Sequence, residues 1–211
     1  ICKATPRLCV FDLMWKKCYC FFSDRTLRGE RRQIWFGLEK HSLLEGTMLQ
    51  LRNATVNDLE KIMSIYKYAQ DYMIRSGNPH QWGNFYPGED LIRSDIQKNA
   101  CKIIYDEHGI HGVFALFDGA EPTYAHIENG RWPNDEPYLT IHRIAGDGQV
   151  HGLFEYTAEY CKGIASNIRI DTHADNATMQ RLIEKNGFTK CGTIYVRDGS
   201  PRIAYQWSAV L

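Results

Sequence analysis

The sequence predicts a single α/β domain, and three observations lead to that prediction. With 211 residues, of which 44% are hydrophobic, the chain can bury one substantial core. From Met48 onward, strand-like and helix-like segments follow the order strand, two helices, two or three antiparallel strands, strand, helix, strand, helix and a final hairpin. The stretch Ile168 to Phe188 is the clearest part of this pattern, since it contains a strand, a short polar loop and an amphipathic helix.

The residues of this stretch justify each of its elements. Apolar and charged residues alternate along 168–172, as a strand with one buried face requires. Asp175 or Asn176 can cap the start of the helix, and Gly187 can end it because glycine tolerates the left-handed conformation. One apolar helical face lies between these ends and consists of Met179, Leu182 and Ile183.

The remaining elements are predicted in the same way, from the spacing of apolar residues and from the glycine and proline residues between them. Thr55 caps the first helix, whose apolar stripe ends at Gly77. The other predicted elements are strands at 49–52, 101–105, 112–117, 138–145, 189–196 and 203–207 and helices at 90–98 and 153–164.

Two loops stand out because they are irregular and chemically rich. The loop 81–87 carries three aromatic residues, which either line a pocket or cover an edge of the core. Under the first alternative, Trp82 and Tyr86 are candidates for a substrate pocket. The loop 118–137 is the longest irregular stretch after Met48, and long loops of this kind are often functional.

Composition argues against several classes of protein. No run of 18 apolar residues is present, so we expect no membrane partner and a cytoplasmic location. The chain has zero formal net charge, and residues 48–211 hold fewer basic than acidic residues, which argues against nucleic-acid binding. Seven cysteines without a Cys-x-x-Cys pair indicate neither a disulfide framework nor a zinc site. His108 and His111 lack a third nearby ligand, so we predict no metal.

Residues 1–47 differ from the rest of the chain. They show no sustained period and carry a net charge of +4, against −4 for 48–211. Glu45 and Gly46 would be encoded by a purine-rich sequence shortly before the Met48 codon, where a bacterial ribosome-binding sequence would sit. We therefore expect residues 1–47 to be a non-native upstream extension, with a disordered arm or a small docking element as alternatives, and 48–211 to be the functional domain.

A glycine-containing loop between a strand and a helix spans residues 146–152. The first turn of a helix has backbone N–H groups without intrahelical partners, and the helix dipole is positive at that end. A phosphate or pyrophosphate is therefore a natural ligand, although such a loop can also be no more than a tight connection. The spacing matches neither a Walker loop nor the dinucleotide fingerprint.

Residues 48–207 resemble the GNAT superfamily of N-acetyltransferases, most specifically in two motifs. The run 149–154, Gln-Val-His-Gly-Leu-Phe, is similar to the family's Gln/Arg-x-x-Gly-x-Gly/Ala loop, which binds the pyrophosphate of acetyl-CoA. The helix from Asn176 to the ending Glu-Lys-Asn-Gly-Phe at 184–188 is similar to the family's next helix.

The resemblance implies a fold, a co-substrate and a set of site residues. The fold would be a mixed, mostly antiparallel twisted sheet of about seven strands with about four helices on its two faces. Two central strands, 138–145 and 168–172, would splay apart. Acetyl-CoA would be the co-substrate, in direct transfer of its acetyl group to a primary amine. The residues implied to bind it are Ile144, Ala145, Gln149, Val150, His151, Gly152, Leu153 and Asn176.

An amine acceptor must lose a proton before it attacks, so a general base or a water chain is needed. His142 lies on the predicted splayed strand, and histidine exchanges protons near neutral pH. Glu136 lies just before that strand. Both are candidate bases, but His142 can equally face the core and Glu136 can be a solvated loop charge. The acceptor would be a small molecule or a peptide or protein amino group, and the protein a monomer or a homodimer.

Two residues depart from the family pattern. Phe154 stands where the loop usually has a second small residue, and Ile183 stands where many members have a tyrosine that protonates the departing thiolate. Water or another tyrosine, for which Tyr195 is a candidate, would have to replace that donor. The departures also favour an alternative, a non-catalytic acyl-CoA-binding or regulatory module. A third possibility, a nucleic-acid binder, depends on the basic residues 1–47.

Overall fold

A seven-stranded sheet organises residues 48–209, the part of the chain that the computed structural model describes. In chain order the strands are β1 (Gln50–Asn53), β2 (Cys101–Asp106), β3 (Gly109–Asp118), β4 (Leu139–Gly146), β5 (Asn167–Thr172), β6 (Thr189–Tyr195) and β7 (Pro201–Ser208). Their spatial order is β1-β2-β3-β4-β5-β7-β6. Every neighbouring pair is antiparallel except β4 and β5, which are parallel. The predicted mixed, mostly antiparallel sheet is confirmed.

Four helices cover the two faces of this sheet. They are α1 (Leu59–Arg75), α2 (Glu89–Gln97), α3 (Leu153–Lys162) and α4 (Ala177–Lys185). Ile103 of β2 belongs to the apolar cluster with α1 and α2, whereas its neighbour Ile104 belongs to the cluster with α3 and α4. Val113 and Phe114 of β3 divide in the same way. Because successive strand residues point to opposite faces, the helices lie two on each face; the predicted four helices on the two faces are confirmed.

The capping residues predicted at the helix starts form side-chain hydrogen bonds in the structure. The Asp58 carboxylate accepts hydrogen bonds from the backbone N–H of Thr55 and from its hydroxyl, at 2.7 and 2.9 Å. Thr55 is the cap position of a 3-10 turn, Val56–Asp58, and Asp58 is that of α1, so the predicted cap at Thr55 lies one turn before the α-helix. At α4, the side-chain oxygen of Asn176 accepts from the N–H of Met179, so Asn176 is the cap. The boundaries agree with the predicted ones to within three residues.

The parallel pairing of β4 and β5 is short. It joins Leu139 to Ile168, Thr140 to Arg169 and Ile141 to Ile170, and there it ends, although both strands continue. The two strands therefore part after Ile141 and Ile170, which confirms the predicted splay.

A β-bulge in β4 lies immediately beyond this point. Ala115 of β3 faces His142 and Val113 faces Ala145, so one residue of β3 is opposite two residues of β4, Arg143 and Ile144. Arg143 has a φ of 53°, in the left-handed region that non-glycine residues rarely adopt. The bulge interrupts the strand where the gap opens.

The long loop before β4 folds onto the sheet. Its 3-10 turn, Pro122–Tyr124, buries Tyr124, and the indole N–H of Trp132 donates to the Tyr124 carbonyl. The guanidinium of Arg169 lies 4.0 Å from the ring centre of Trp132 and 3.8 Å from that of Tyr138. Stacking of a buried cation on two aromatic faces fixes the loop against β5.

Residues 1–47, predicted to be an extension or an arm, lie outside the described residues. Within 48–209, no helix is both long and apolar enough to span a membrane. Cys101, Cys161 and Cys191 are buried free thiols, and burial raises the pKa of the first two to about 12.

Replacing Ile168 with alanine should destabilise the fold by about 2–5 kcal/mol, because the side chain is fully buried on β5 and its loss leaves a cavity. Ile164→Ala is the matched control, since this isoleucine is 56% exposed and its loss should change stability by less than about 0.5 kcal/mol. Urea unfolding of the two variants measures the difference. Equal losses would contradict the described packing of β5.

Candidate functional site

The loop between β4 and α3, residues 146–152, is held by its own aspartate. Oδ1 of Asp147 accepts from the backbone N–H of Gln149 at 3.0 Å, and the N–H of Asp147 donates to the His111 carbonyl at 2.9 Å. Gly148 and Gly152 have φ values of 77° and 80°, so both positions favour glycine. The fold thus fixes the loop at its amino-terminal half.

The other half of the loop presents free donors. Within residues 48–209, no acceptor is found for the N–H groups of Val150, His151 and Gly152, nor for those of the first three residues of α3. These groups lie at the positive end of the helix dipole. A run of unpaired backbone donors at a helix start suits a phosphate or pyrophosphate, as the sequence predicts.

Gly146 and Phe154 explain how the helix approaches the strand. A Cβ on Gly146 would lie 2.6 Å from Cδ1 of Leu153, so a larger residue here would require the Leu153 side chain to move. Phe154, which departs from the family pattern, is buried in the core against Phe188, with their ring centres 6.2 Å apart. Its side chain therefore fills the interior beneath α3.

A second group of side chains meets where β4 and β5 part. Nε2 of His142 lies 3.3 Å from Oε2 of Glu121, and its Nδ1 lies 3.9 Å from Oδ1 of Asp171. The Tyr124 hydroxyl donates to that same Asp171 oxygen at 2.7 Å. His142 is thus neither a core histidine nor a free one, since two carboxylates surround its ring.

Hydrogen bonds from Thr123 orient the carboxylate of Glu121 toward His142. Its Oε1 accepts from the N–H and the hydroxyl of Thr123, which leaves Oε2 for the imidazole. The hydrogen bond with His142 is the main reason that the pKa of Glu121 falls to about 2. Glu121 is therefore ionised at neutral pH and can stabilise a positive charge on His142.

The bulge residue Arg143 contacts the α1–α2 side of the sheet. Its guanidinium donates to Asp95 of α2 at 2.6 Å and to the Tyr86 hydroxyl at 3.3 Å. Both charged side chains are largely buried. A pair of this kind holds the bulge to α2 and to the aromatic loop 81–87.

The aromatic loop divides between the two predicted roles. Trp82 is buried against Tyr66, with their ring centres 5.7 Å apart, so it covers the core edge. Tyr86 is 40% exposed and Phe85 is 89% exposed. The structure thus favours the core-edge role for Trp82 and leaves Tyr86, beside Arg143, as a candidate for a substrate contact.

Asn176 is occupied at both ends of its amide. Its oxygen caps α4, and its Nδ2 donates to Oε1 of Gln81 at 2.9 Å. Thr172 at the end of β5 lies 3.5 Å from that same oxygen. Asn176 therefore ties the loop 81–87 to the start of α4, a role that the sequence did not indicate.

Three other predicted residues lie apart from the His142 group. Glu136 is exposed in the loop before β4, and the hydrogen bond described for it, from its backbone N–H to Asn134, does not involve the His142 group. Tyr195 lies on the edge strand β6 and donates to Glu128 at 2.9 Å. Ile183 is fully buried among apolar side chains of the core.

Glu121, Asp171 and Arg143 were missed by the sequence reasoning. Glu121 lies in an irregular loop 21 residues before His142, and no spacing rule connects them. Asp171 fits the alternation of β5, which could have placed it on the face shared with His142. No signal in the sequence indicates the positive φ of Arg143.

The fold is an α/β sheet that opens between β4 and β5, with a loop of free amides after β4 and a histidine–carboxylate group where the strands part. A GNAT-family acetyltransferase from Streptococcus agalactiae is 30% identical, with a TM-score of 0.71 over 77% of this chain and 96% of that one. The chain belongs to the GNAT family of acetyltransferases. No family model and no curated protein matches it.

Two further structures share the fold at lower identity. The Salmonella typhimurium protein yncA, solved with its cofactor acetyl-CoA, is 13% identical with a TM-score of 0.50, over 76% of this chain and 93% of that one. A ribosomal-protein-alanine N-acetyltransferase from Brucella melitensis is 15% identical with a TM-score of 0.51, over 76% and 99%. At these identities they support the fold alone.

Replacing His142 with alanine should raise the pKa of Glu121 from about 2 toward its usual 4.5, because the hydrogen bond from the imidazole is the main cause of the low value. A pH titration of the side-chain carboxyl signals by NMR measures the change. Asp58 is the internal control, since Arg52 is the main cause of its pKa of about 2. An unchanged pKa at Glu121 would contradict the contact.

Proposed function

We propose that this protein is an acetyl-CoA-dependent N-acetyltransferase that transfers the acetyl group directly to a primary amine in a ternary complex. The observation that carries the proposal is the opening between β4 and β5, which has free backbone donors at the β4–α3 loop and His142 between two carboxylates where the strands part. Membership of the GNAT family supports the same reaction.

The residues of the loop fit the anionic end of acetyl-CoA. Val150, His151, Gly152 and Leu153 would donate backbone N–H groups to its pyrophosphate, with Gln149 beside them. Acetyl-CoA would supply the acetyl group as an activated thioester; the Salmonella protein of the same fold was solved with this cofactor. Asn176 would act on this arm indirectly, through its cap of α4 and its contact with Gln81.

The amine would lie near His142. With Nε2–H donating to Glu121, the neutral imidazole has its lone pair on Nδ1, which can accept the proton that the amine loses. Asp171, 3.9 Å from Nδ1, would then stabilise the imidazolium together with Glu121. These contacts favour His142 over Glu136 as the general base.

The backbone of β4 would stabilise the transition state. After Ile141 the strand no longer pairs with β5, so its amide groups on that side can face a ligand. The N–H of Ile144 or Ala145 would donate to the developing oxyanion, in a site already organised before reaction. Holding thioester and amine together in the gap would lower the barrier further.

Protonation of the thiolate requires a source other than the family's usual tyrosine. Ile183 cannot provide a proton. The Tyr195 hydroxyl donates to Glu128, and this hydrogen bond raises the pKa of Tyr195. We therefore propose water as the proton source. This departure is also the main support for the alternative, a non-catalytic acyl-CoA-binding or regulatory module; the buried Phe154 gives that alternative no further support.

Carboxylates around the opening would favour a cationic acceptor. Glu121 and Asp171 lie at the base, and a cavity of about 320 Å³ beside Glu121 is also lined by Asp135 and Tyr138. The acceptor would be a small molecule or a protein amino group. The absence of nucleic-acid, membrane and metal partners, the cytoplasmic location and the monomeric or homodimeric state stay predictions.

Incubating the protein with acetyl-CoA and a panel of amines should release CoA at a rate that saturates with one class of amine. A thiol-reactive chromophore measures the release, and mass spectrometry identifies the acetylated product. A reaction without amine is the control for hydrolysis. Thermal stabilisation by CoA without turnover on any amine would support the non-catalytic module instead.

His142→Ala should lower kcat by about 10²–10⁴-fold, because the amine loses its proton acceptor, and should leave the Kd for acetyl-CoA unchanged. His108→Ala is the matched control, since His108 is an exposed histidine on the turn between β2 and β3. Steady-state kinetics and calorimetry measure the two quantities. Unchanged turnover in H142A would remove His142 from the mechanism.

A further inference from the structure

A buried histidine lies behind the β4–α3 loop, away from His142. His111 of β3 is 5% exposed, with its ring between two carboxylates. Its Nε2 lies 2.9 Å from Oδ1 of Asp106, and its Nδ1 lies 3.0 Å from Oδ2 of Asp147. Neither the sequence motifs nor the proposed reaction accounts for this arrangement.

The contacts require a particular charge state. An ionised carboxylate only accepts hydrogen bonds, so both ring nitrogens of His111 must donate, and only the imidazolium has two N–H groups. Burial alone would lower the pKa of His111, but the hydrogen bonds with Asp106 and Asp147 outweigh it and raise the pKa. Both contacts therefore favour the imidazolium form of His111 in the folded protein.

The charged groups around His111 come from three neighbouring elements of the fold. Asp106 ends β2 and also accepts from the N–H groups of His108 and Gly109 in the turn. Lys61 of α1 lies 3.8 Å from Oδ2 of Asp147. Two carboxylates, one imidazolium and one ammonium group sum to zero, so the cluster is neutral only while His111 keeps its proton.

Asp147 connects this cluster to the anion-binding loop. Its Oδ2 faces His111, and its Oδ1 accepts from the N–H of Gln149, the first residue of the run proposed to hold the pyrophosphate. Without the imidazolium, Asp147 would lose a charge-assisted hydrogen bond. The negative charge of the Asp147 carboxylate would then be less well compensated, beside a site proposed to bind an anion.

We propose that His111 is a positioning residue for acyl-CoA binding: as an imidazolium clamped between Asp106 and Asp147, it fixes the 146–152 loop and cancels the loop's own negative charge. This inference rests on the proposed function, because it assigns a role within the same co-substrate site. His111 touches no substrate and acts through Asp147. The affinity for acetyl-CoA should therefore fall as pH rises above 6.5 through the raised pKa of His111, since deprotonation removes the clamp.

The test measures the Kd of acetyl-CoA by calorimetry at several values between pH 7 and 9 for the wild type, His111→Asn and the control His108→Asn. Asparagine keeps a donor toward Asp147 but no charge. We expect the wild type and H108N to weaken with rising pH, and H111N to bind about tenfold more weakly at pH 7 with little pH dependence. The phosphate groups of acetyl-CoA are almost fully ionised above pH 7, so they contribute little to the difference.

The outcomes separate the inference from the proposed function. Wild-type protein that binds no acetyl-CoA overturns both. Wild-type binding that H111N matches in strength and pH dependence overturns the role of His111 alone. If H111N does not fold, a wild-type Kd that stays constant from pH 7 to 9 still overturns it. With a reactive amine in hand, H111N should raise the KM for acetyl-CoA and leave kcat unchanged, a split that general loss of structure would not produce.

Discussion

The parallel pairing of β4 with β5 stops after three residue pairs. The position at which it stops determines where the sheet opens beside His142. Had the pairing continued, the amides of β4 beyond Ile141 would be consumed by the sheet, and His142 would lie on a closed surface. The bulge at Arg143 and Ile144 changes the course of β4 at this point. A strained residue is tolerated there because its side chain is tied to Asp95 and Tyr86.

The two sides of the opening are supported by different elements. On the side of α1 and α2, the long loop before β4 brings Glu121 and Tyr124 to His142 and Asp171, and the stacking of Arg169 on Trp132 and Tyr138 holds the last part of that loop. At the carboxyl end of β4, Asp147, Gly148 and Gly152 fix the conformation of the loop that carries the free backbone N–H groups. Buried ion pairs contribute little net stability, so Arg143–Asp95 and the His111 cluster are better explained by the geometry that they impose.

The two departures from the family pattern differ in their consequences. Phe154 replaces a small residue, but its ring points into the core against Phe188, so it leaves the loop backbone free. Ile183 is also buried, and it removes a proton donor that the described contacts do not replace. The proposed chemistry therefore depends on His142 for the first proton transfer and on water for the second.

The sequence by itself determined the elements, their order and the position of the loop, because hydrophobic period, caps and glycines are local signals. It also identified the family through two motifs, and it placed His142 on the strand that opens. Only the tertiary structure decided which charges meet. Glu121 reaches His142 from the long loop before β4, and Asp171 comes from the neighbouring strand. Asp106 at the end of β2 and Asp147 in the β4–α3 loop enclose His111. Such contacts depend on strand register and on the bulge at Arg143, and neither follows from local spacing.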